Sequence, residues 1–284
     1  MDFSNKTVLV TGAAGSIGGG LSRTIAKLKP KLLVLLDNNE SGLFDIYEEL
    51  KEQCDVDYVI GDIRDLSSIR EVFTFFKPNI VYHAAAYKHV VLMERYPTEA
   101  YENNVWGTEV VSMCAKDCGV EKFVLISSDK AVNPVCVMGK TKKECEDMCL
   151  RSNNEYGTKF IVVRFGNVMA SRGSVVPIFQ KCIQENKSLP VTHPDMERYW
   201  MGIYEAADLV LKATEIGEGG EIFVLDMGVS MKIVDLAKMM IKLSGKPLDI
   251  VFTHPNEGEK MSEILMTEEE EKRAVKVDDM WIIK

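Results

Sequence analysis

Residues 6–28, KTVLVTGAAGSIGGGLSRTIAKL, constrain the fold more than any other stretch of the chain. A β-branched apolar run leads into glycines at 12, 15 and 18, and a helical spacing of apolar residues follows. This is a strand, a glycine turn and a helix, with the G-x-x-G-x-x-G variant of the dinucleotide fingerprint in the turn. Gly12 permits the tight turn, Gly15 lets the backbone approach a pyrophosphate, and Gly18 permits close packing of the helix. Ser16 and Ile17 open that helix, whose free N–H groups and positive dipole end favour an anion. The next apolar run, KLLVLLD, ends in Asp37, nineteen residues after Gly18. A carboxylate there accepts hydrogen bonds from the adenosine ribose and repels a 2′-phosphate. Asn38 and Asn39 bring no compensating positive charge, so NAD(H) is expected over NADP(H). In GDIRD (61–65), Asp62 and Ile63 are placed to border an adenine; a plain strand end followed by a helix cap at Asp65 fits the same residues equally well.

Continuous apolar runs alternate with helical patterns as far as about residue 167: DYVIGD, LSSIREVFTFF, NIVYHAAA, a helix across 98–119, KFVLISS, a helix from about Met138, and KFIVVRFGNV. Runs apolar on both faces belong to parallel strands covered by helices, so the fold class is α/β with a doubly wound parallel sheet of the Rossmann type. Beyond that point glycines and prolines thicken, and helices return at 203–217 and 232–245. The expected division is residues 1–167 as an NAD-binding domain and 168–284 as a smaller, mainly substrate-binding lobe over the carboxyl ends of the strands, with the chain free to cross between them.

The formal charge of −9 argues against broad nucleic-acid binding and leaves room for a local basic pocket. No apolar stretch reaches the length of a membrane span, and the N-terminus enters a strand at once, so a soluble cytoplasmic protein without a signal peptide is expected. The seven cysteines contain no CxxC, which points to small buried thiols in a reducing compartment and to no metal. The EEEE run at 268–271 reads as a solvated helix face.

SSDKAVNPVCVMGKTK (127–142) carries the chemistry. It runs from a strand end into a helix, pairs Asp129 with Lys130, and places Lys142 four residues after Met138. Tyr-x-x-x-Lys on a helix is a common device for deprotonating a sugar hydroxyl; here methionine, which cannot take a proton, stands in the tyrosine position. This segment, the glycine turn, HAAAYKHV (83–90), NNVWGT (103–108), RFGNV (164–168), SRGSVVPIF (171–179) and THPDMERYWM (192–201) occur in one order. Together they resemble the nucleotide-sugar 4,6-dehydratases of the extended short-chain dehydrogenase/reductase superfamily. The nearest likeness is to the polysaccharide biosynthesis branch that acts on UDP-N-acetylglucosamine. Larger members carry an N-terminal membrane portion, and this chain resembles their catalytic part.

The resemblance implies a set of roles. Asp129 is the acid, Lys130 the base at sugar C5, and Ser128 a relay for the C4 hydroxyl proton. A lysine base must be uncharged, which needs burial or nearby cations. Lys142 meets the nicotinamide ribose, and Ala84, Ala85, Ala86, Lys88 and Asn104 border the cofactor, with Lys88 also close to the substrate. A branch with methionine at the position of Met138 stays active and retains configuration at C5. Asn167, Arg172, Ser174, Val175, His193, Arg198 and Glu259 bind the UDP-sugar. The segment before Gly258-Glu259-Lys260 departs from the family pattern, with Asn256-Glu257 where an arginine is usual. A homo-oligomer paired through long helices, with 92–118 and the helix after 138 as candidates, is also implied. Two other functions fit the scaffold: a nucleotide-sugar 4-epimerase, which needs no acid and base pair at C5 and C6, and a non-catalytic NAD-binding regulator.

Overall fold

The computed structural model describes residues 2–153 and 157–284. Strands β1 (Thr7–Thr11), β2 (Leu32–Asp37), β3 (Val56–Ile60), β4 (Ile80–His83), β5 (Lys122–Ile126) and β6 (Lys159–Arg164) run parallel in the order 3-2-1-4-5-6. Beyond β6 the chain forms three short pairs: β7 (Asn167–Val168) with β10 (Trp200–Met201), β8 (Leu189–Val191) with β13 (Ile250–Phe252), and β9 (Glu197–Arg198) with β12 (Met231–Lys232). It also returns to the main sheet. β11 (Ile222–Leu225) lies parallel beside β6, and the hairpin of β14 (Val275–Val277) and β15 (Met280–Ile283) closes that edge antiparallel. Among the described residues the sheet therefore has nine strands, three of them from beyond residue 167.

The helices are α1 (Ser16–Lys27), α2 (Glu40–Leu50), α3 (Leu66–Phe76), α4 (Val90–Arg95), α5 (Pro97–Ala100), α6 (Gly107–Asp117), α7 (Val137–Ser152), α8 (Val175–Gln184), α9 (Ile203–Ile216), α10 (Ile233–Ser244) and α11 (Glu268–Arg273). Side-chain alternation along the strands divides the core into two layers. Val8, Val10, Leu33, Leu35, Val124 and Val163 face Leu21 and Ile25 of α1, Leu43 of α2 and Val210 of α9. Leu9, Val34, Val81, Phe123, Leu125 and Val162 face Ile69 and Phe73 of α3, Val110 of α6 and Cys145 of α7. Each such side chain, fully buried, contributes about 1.5–3 kcal/mol. A third cluster, around Phe179, Leu189, Val191 and Leu236, holds α8, β8 and α10 together. Asp65 caps α3 as expected, accepting from the backbone N–H groups of Ser67 and Ser68.

Four local readings change. The expected strand over 159–168 breaks at Phe165-Gly166 into β6 and β7, because Asn167 pairs with β10 instead of the main sheet. The helix across 98–119 is α5 and α6 joined by a π-helical turn, Tyr101–Trp106, a widening that tends to mark functional segments. The EEEE run is not simply a solvated face: Glu270 is buried and paired with Arg164. Of the seven thiols, all free, Cys114, Cys136, Cys145 and Cys149 are buried, Cys54 and Cys182 half-buried, and Cys118 is exposed. Among the described residues no helix is long and apolar enough to cross a membrane.

Candidate active site

The strand order reverses between β1 and β4, and the crevice at their carboxyl ends is where open α/β sheets take ligands. The glycine turn forms its floor. Gly12 has φ +69°, and a Cβ there would meet the Ala85 nitrogen at 2.7 Å; a Cβ on Gly18 would stand 2.1 Å from the Gly12 carbonyl oxygen. No side chain caps α1, so its first N–H groups face the crevice. Asp37 accepts from the Ala14 N–H through Oδ2 and from the Asn39 N–H through Oδ1, both at 2.9 Å. Two of its roughly four acceptor sites stay open. Ala84, Ala85, Ala86 and Ile63 line the same crevice, together with Arg172. Arg172 arrives there because its backbone N–H donates to Ser16 Oγ at 3.0 Å, which lays the 171–174 loop across the start of α1. The Asp62 carboxylate takes the Arg64 guanidinium at 2.7–3.0 Å, which holds it below the usual carboxylate range.

The Asp-Lys segment lies at the end of β5, tied to the end of β6 by the Asp129 N–H donating to the Phe165 carbonyl at 3.0 Å. Ser128 begins a short 3-10 turn, Asp129–Ala131, and its hydroxyl donates to Asp129 Oδ1 at 2.9 Å. Lys130 Nζ donates to the same oxygen at 3.0 Å and to Asn167 Oδ1 at 3.3 Å. Asp129 is fully buried, whereas the Lys130 side chain keeps 16% exposure. Lys130 and Ser128 are thus the groups that can face a ligand, with the carboxyl behind both. Asp129 Oδ2 has no hydrogen-bond partner among the described residues and lies beside Gly166, where a Cβ would approach it to 3.2 Å. Gly139 is needed in the same way: a Cβ there would be 2.3 Å from the Lys130 carbonyl oxygen, so α7 can abut the Asp129–Ala131 turn only with glycine.

Met138 is buried with Met93, Ala100 and Cys136. Lys142, one turn on, is also buried and makes no hydrogen bond or ion pair among the described residues. Lys88 follows Tyr87 at the crevice; partial burial, then the Lys130 charge, push its amine below the usual lysine range. Asn104 holds this corner by accepting from the Tyr87 N–H at 2.7 Å and donating to its carbonyl at 3.0 Å.

Sequence reasoning missed two charged residues of the site. Lys260 donates to the Val132 carbonyl at 2.7 Å, and Glu263, side chain 3% exposed, stands 3.9 Å from Lys130 Nζ and 3.2 Å from Lys260 Nζ. Their segment is anchored by Gly258 (φ +77°), where a Cβ would come within 2.8 Å of the Cys136 Cβ. The motif GEKMSE was visible; that it lands on residues 130–136 was not. The remaining predicted residues lie further along this lobe. Glu259 accepts from the Asn256 N–H and side-chain amide at 2.9 and 3.0 Å, so the residue standing where arginine is usual is its partner. The Arg198 guanidinium donates to the Glu197 and Met261 carbonyls at 2.7 and 3.2 Å. His193 Nδ1 accepts from the Asp195 N–H. Ser174, its buried Oγ without a hydrogen-bond partner among the described residues, and Val175 form the start of α8.

His83, at the end of β4, is fully enclosed between Thr11 Oγ1 (2.8 Å) and Thr108 Oγ1 (2.9 Å). Thr108 donates its own proton to the Asn104 carbonyl, so it must accept from His83 Nε2, and Nδ1 accepts from Thr11. Burial first, then the Lys142 charge, push the imidazole down to about 3. Its folded value is below its unfolded one, so its contribution to stability is complete above about pH 6.5 and fades as pH falls towards 3. Thermal melts between pH 7 and pH 4 should show a smaller loss for His83→Gln than for wild type; parallel losses would contradict this account.

Comparison with known proteins follows the same lines. The capsular polysaccharide biosynthesis protein CapD of Staphylococcus aureus is 48% identical over 95% of this chain and 46% of its own length, so the chain spans about half of that relative. A UDP-glucose 4-epimerase of Rickettsia rickettsii is 38% identical over 98% of the chain and 82% of its own length. A UDP-N-acetylglucosamine 4,6-dehydratase (inverting) of Campylobacter jejuni is 36% identical over 94% and 79%. The X-ray structure of Pen from Bacillus thuringiensis superposes with a TM-score of 0.94 at 36% identity, covering 100% of this chain and 89% of that one. With the family model matched over residues 8–284, the chain belongs to the polysaccharide biosynthesis protein family.

Proposed function

We propose that this chain is an NAD-dependent UDP-N-acetylglucosamine 4,6-dehydratase that retains configuration at C5 and yields a UDP-4-keto-6-deoxy sugar. The observation that carries the reading is the Lys130 amine, partly open to solvent, held 3.0 Å from the buried carboxyl of Asp129. The crevice fits NAD: the uncapped start of α1 and the bare Gly15 suit a pyrophosphate, and the open acceptor sites of Asp37 suit ribose hydroxyls. When bound, NAD supplies a two-electron acceptor that oxidises sugar C4 and then reduces C6.

The chain's own residues perform the proton transfers. A ketone at C4 acidifies the C5 proton, which Lys130 removes in its uncharged form. A proton crossing the 3.0 Å from Lys130 Nζ to Asp129 Oδ1 converts the resting ion pair into an amine and a carboxylic acid, the two forms the elimination needs. Asp129 is enclosed, so it exchanges protons with the substrate through Ser128 Oγ and Lys130, and the C6 hydroxyl leaves as water. Ser128, partly exposed, passes to solvent the C4 hydroxyl proton that no tyrosine is present to take; Lys130 returns a proton to C5 as C6 is reduced, and one proton from solvent restores the resting ion pair. Lys142, Lys88 and Asn104 position the nicotinamide end. Asn167, Arg172, Ser174, His193, Arg198 and Glu259 serve the diphosphate and nucleoside.

The 38%-identical epimerase relative supports a second reading, a nucleotide-sugar 4-epimerase. The two separate in one experiment: incubation with UDP-N-acetylglucosamine and NAD in deuterated water, followed by NMR and mass spectrometry. A product one water lighter, with a 6-methyl group, deuterium at C5 and unchanged C5 configuration, is expected. An isobaric product inverted at C4 would establish the epimerase, and unchanged sugar nucleotide would remove both.

A further inference from the structure

Lys130 Nζ is enclosed on three sides: Asp129 Oδ1 at 3.0 Å, Asn167 Oδ1 at 3.3 Å and Glu263 Oε1 at 3.9 Å. The first two accept hydrogen bonds from the amine, and Glu263 faces it as an ion-pair partner. Glu263 differs from the other two because it comes from the 256–263 segment, over 130 residues away in sequence, and because it is held in place. Among the described residues its buried Oε2 has no hydrogen bond, and Lys260 Nζ lies 3.2 Å from it while donating to the Val132 carbonyl two residues beyond Lys130. A buried carboxylate of this kind costs stability unless something compensates its charge. What compensates it is the pair of lysines, one on each side. The other charged or titratable groups facing Lys130 are Asp129 on its own turn, Lys88 after β4, and Cys136 before α7.

We propose that Glu263 is a positioning residue for Lys130: through the 256–263 segment it holds the amine at the crevice and sets how readily it gives up its proton, with Lys260 as the counterweight. The proposal rests on the reading of Lys130 as the base. At about 4 Å a unit charge acts strongly on an ammonium even with partial screening. Removing the carboxylate frees the uncharged amine while loosening its aim. Glu263→Gln should therefore raise the rate at which an acylating reagent such as acetic anhydride labels Lys130 at pH 8, about tenfold by peptide mass spectrometry, with kcat falling tenfold or more and KM changing little. Glu263→Asp, which keeps the charge, should label within threefold of wild type. Lys260→Met gives the opposite sign, slower labelling of Lys130, and reads the same coupling should Glu263→Gln not fold.

Labelling of Lys130 that is unchanged in Glu263→Gln, or unchanged or faster in Lys260→Met, would overturn the proposal. The labelling needs no substrate. If it shifts as expected while the wild-type protein dehydrates no sugar nucleotide, the proposed reaction fails and the coupling of Glu263 to Lys130 stands.

Discussion

Lys130→Arg should lower turnover in the proposed dehydration about 10³-fold, within the range that a positioned proton-transfer group contributes. Arginine keeps the positive charge and can still donate to Asp129 and Asn167, but it does not deprotonate near neutral pH. The substitution therefore removes the proposed base while preserving the ion pair that Lys130 makes at 3.0 Å. Lys130→Ala removes both and should lose as much activity. In each variant, deuterium from solvent should fail to appear at sugar C5, and NAD titrated by calorimetry should bind as in wild type. Substantial turnover by Lys130→Arg would show that the lysine contributes charge rather than proton abstraction.

The second large effect concerns stability. Arg164 is fully buried and bridges three elements: it donates to Glu146 of α7 at 2.8 and 3.0 Å, to Glu270 of α11 at 3.0 and 3.1 Å, and to the Leu265 carbonyl at 3.1 Å. Burial alone would lower its guanidinium, but the two carboxylates outweigh it and hold it above the usual range. Arg164→Met strands two carboxylates in the interior, a change worth about 3–5 kcal/mol. For a chain of this size that corresponds to a fall in Tm of roughly 10 °C. The triple change Arg164→Met, Glu146→Leu, Glu270→Leu should recover much of the loss, because apolar groups of similar volume need no counter-charge. A single Arg164→Met variant melting within 2 °C of wild type would mean that water reaches the network. Ser127 also donates to Glu146 Oε1, at 2.6 Å, so the network continues to the residue before Ser128.

The elements that could be read from the sequence are those whose signal is local. β1, β2, β5 and β6 are buried on both faces and write themselves as unbroken apolar runs; Gly12 and Gly18 announce the turn because no other residue fits where they stand. Asp129 and Lys130 were legible as neighbours in a motif. The missed features depend on distant partners. Strands of two or three residues, such as β7, β9 and β12, are too short to show a period. Glu270 looks solvated among four glutamates until Arg164, 106 residues earlier, is brought beside it. Glu263 meets Lys130 only through folding of the 256–263 segment. Asp62 is different: the arginine that occupies its carboxylate is two residues away and was in plain view.

The hairpin β14–β15 has a consequence for how this molecule is made. Until residues 280–283 leave the ribosome, β11 offers a row of unpaired backbone groups at one border of an otherwise finished sheet, and Arg164 has no Glu270 to meet. A nascent chain halted near residue 265 would carry its nucleotide crevice and its Asp-Lys turn but also a sticky open flank. Aggregation should therefore be greatest for chains that have not yet extended past residue 283.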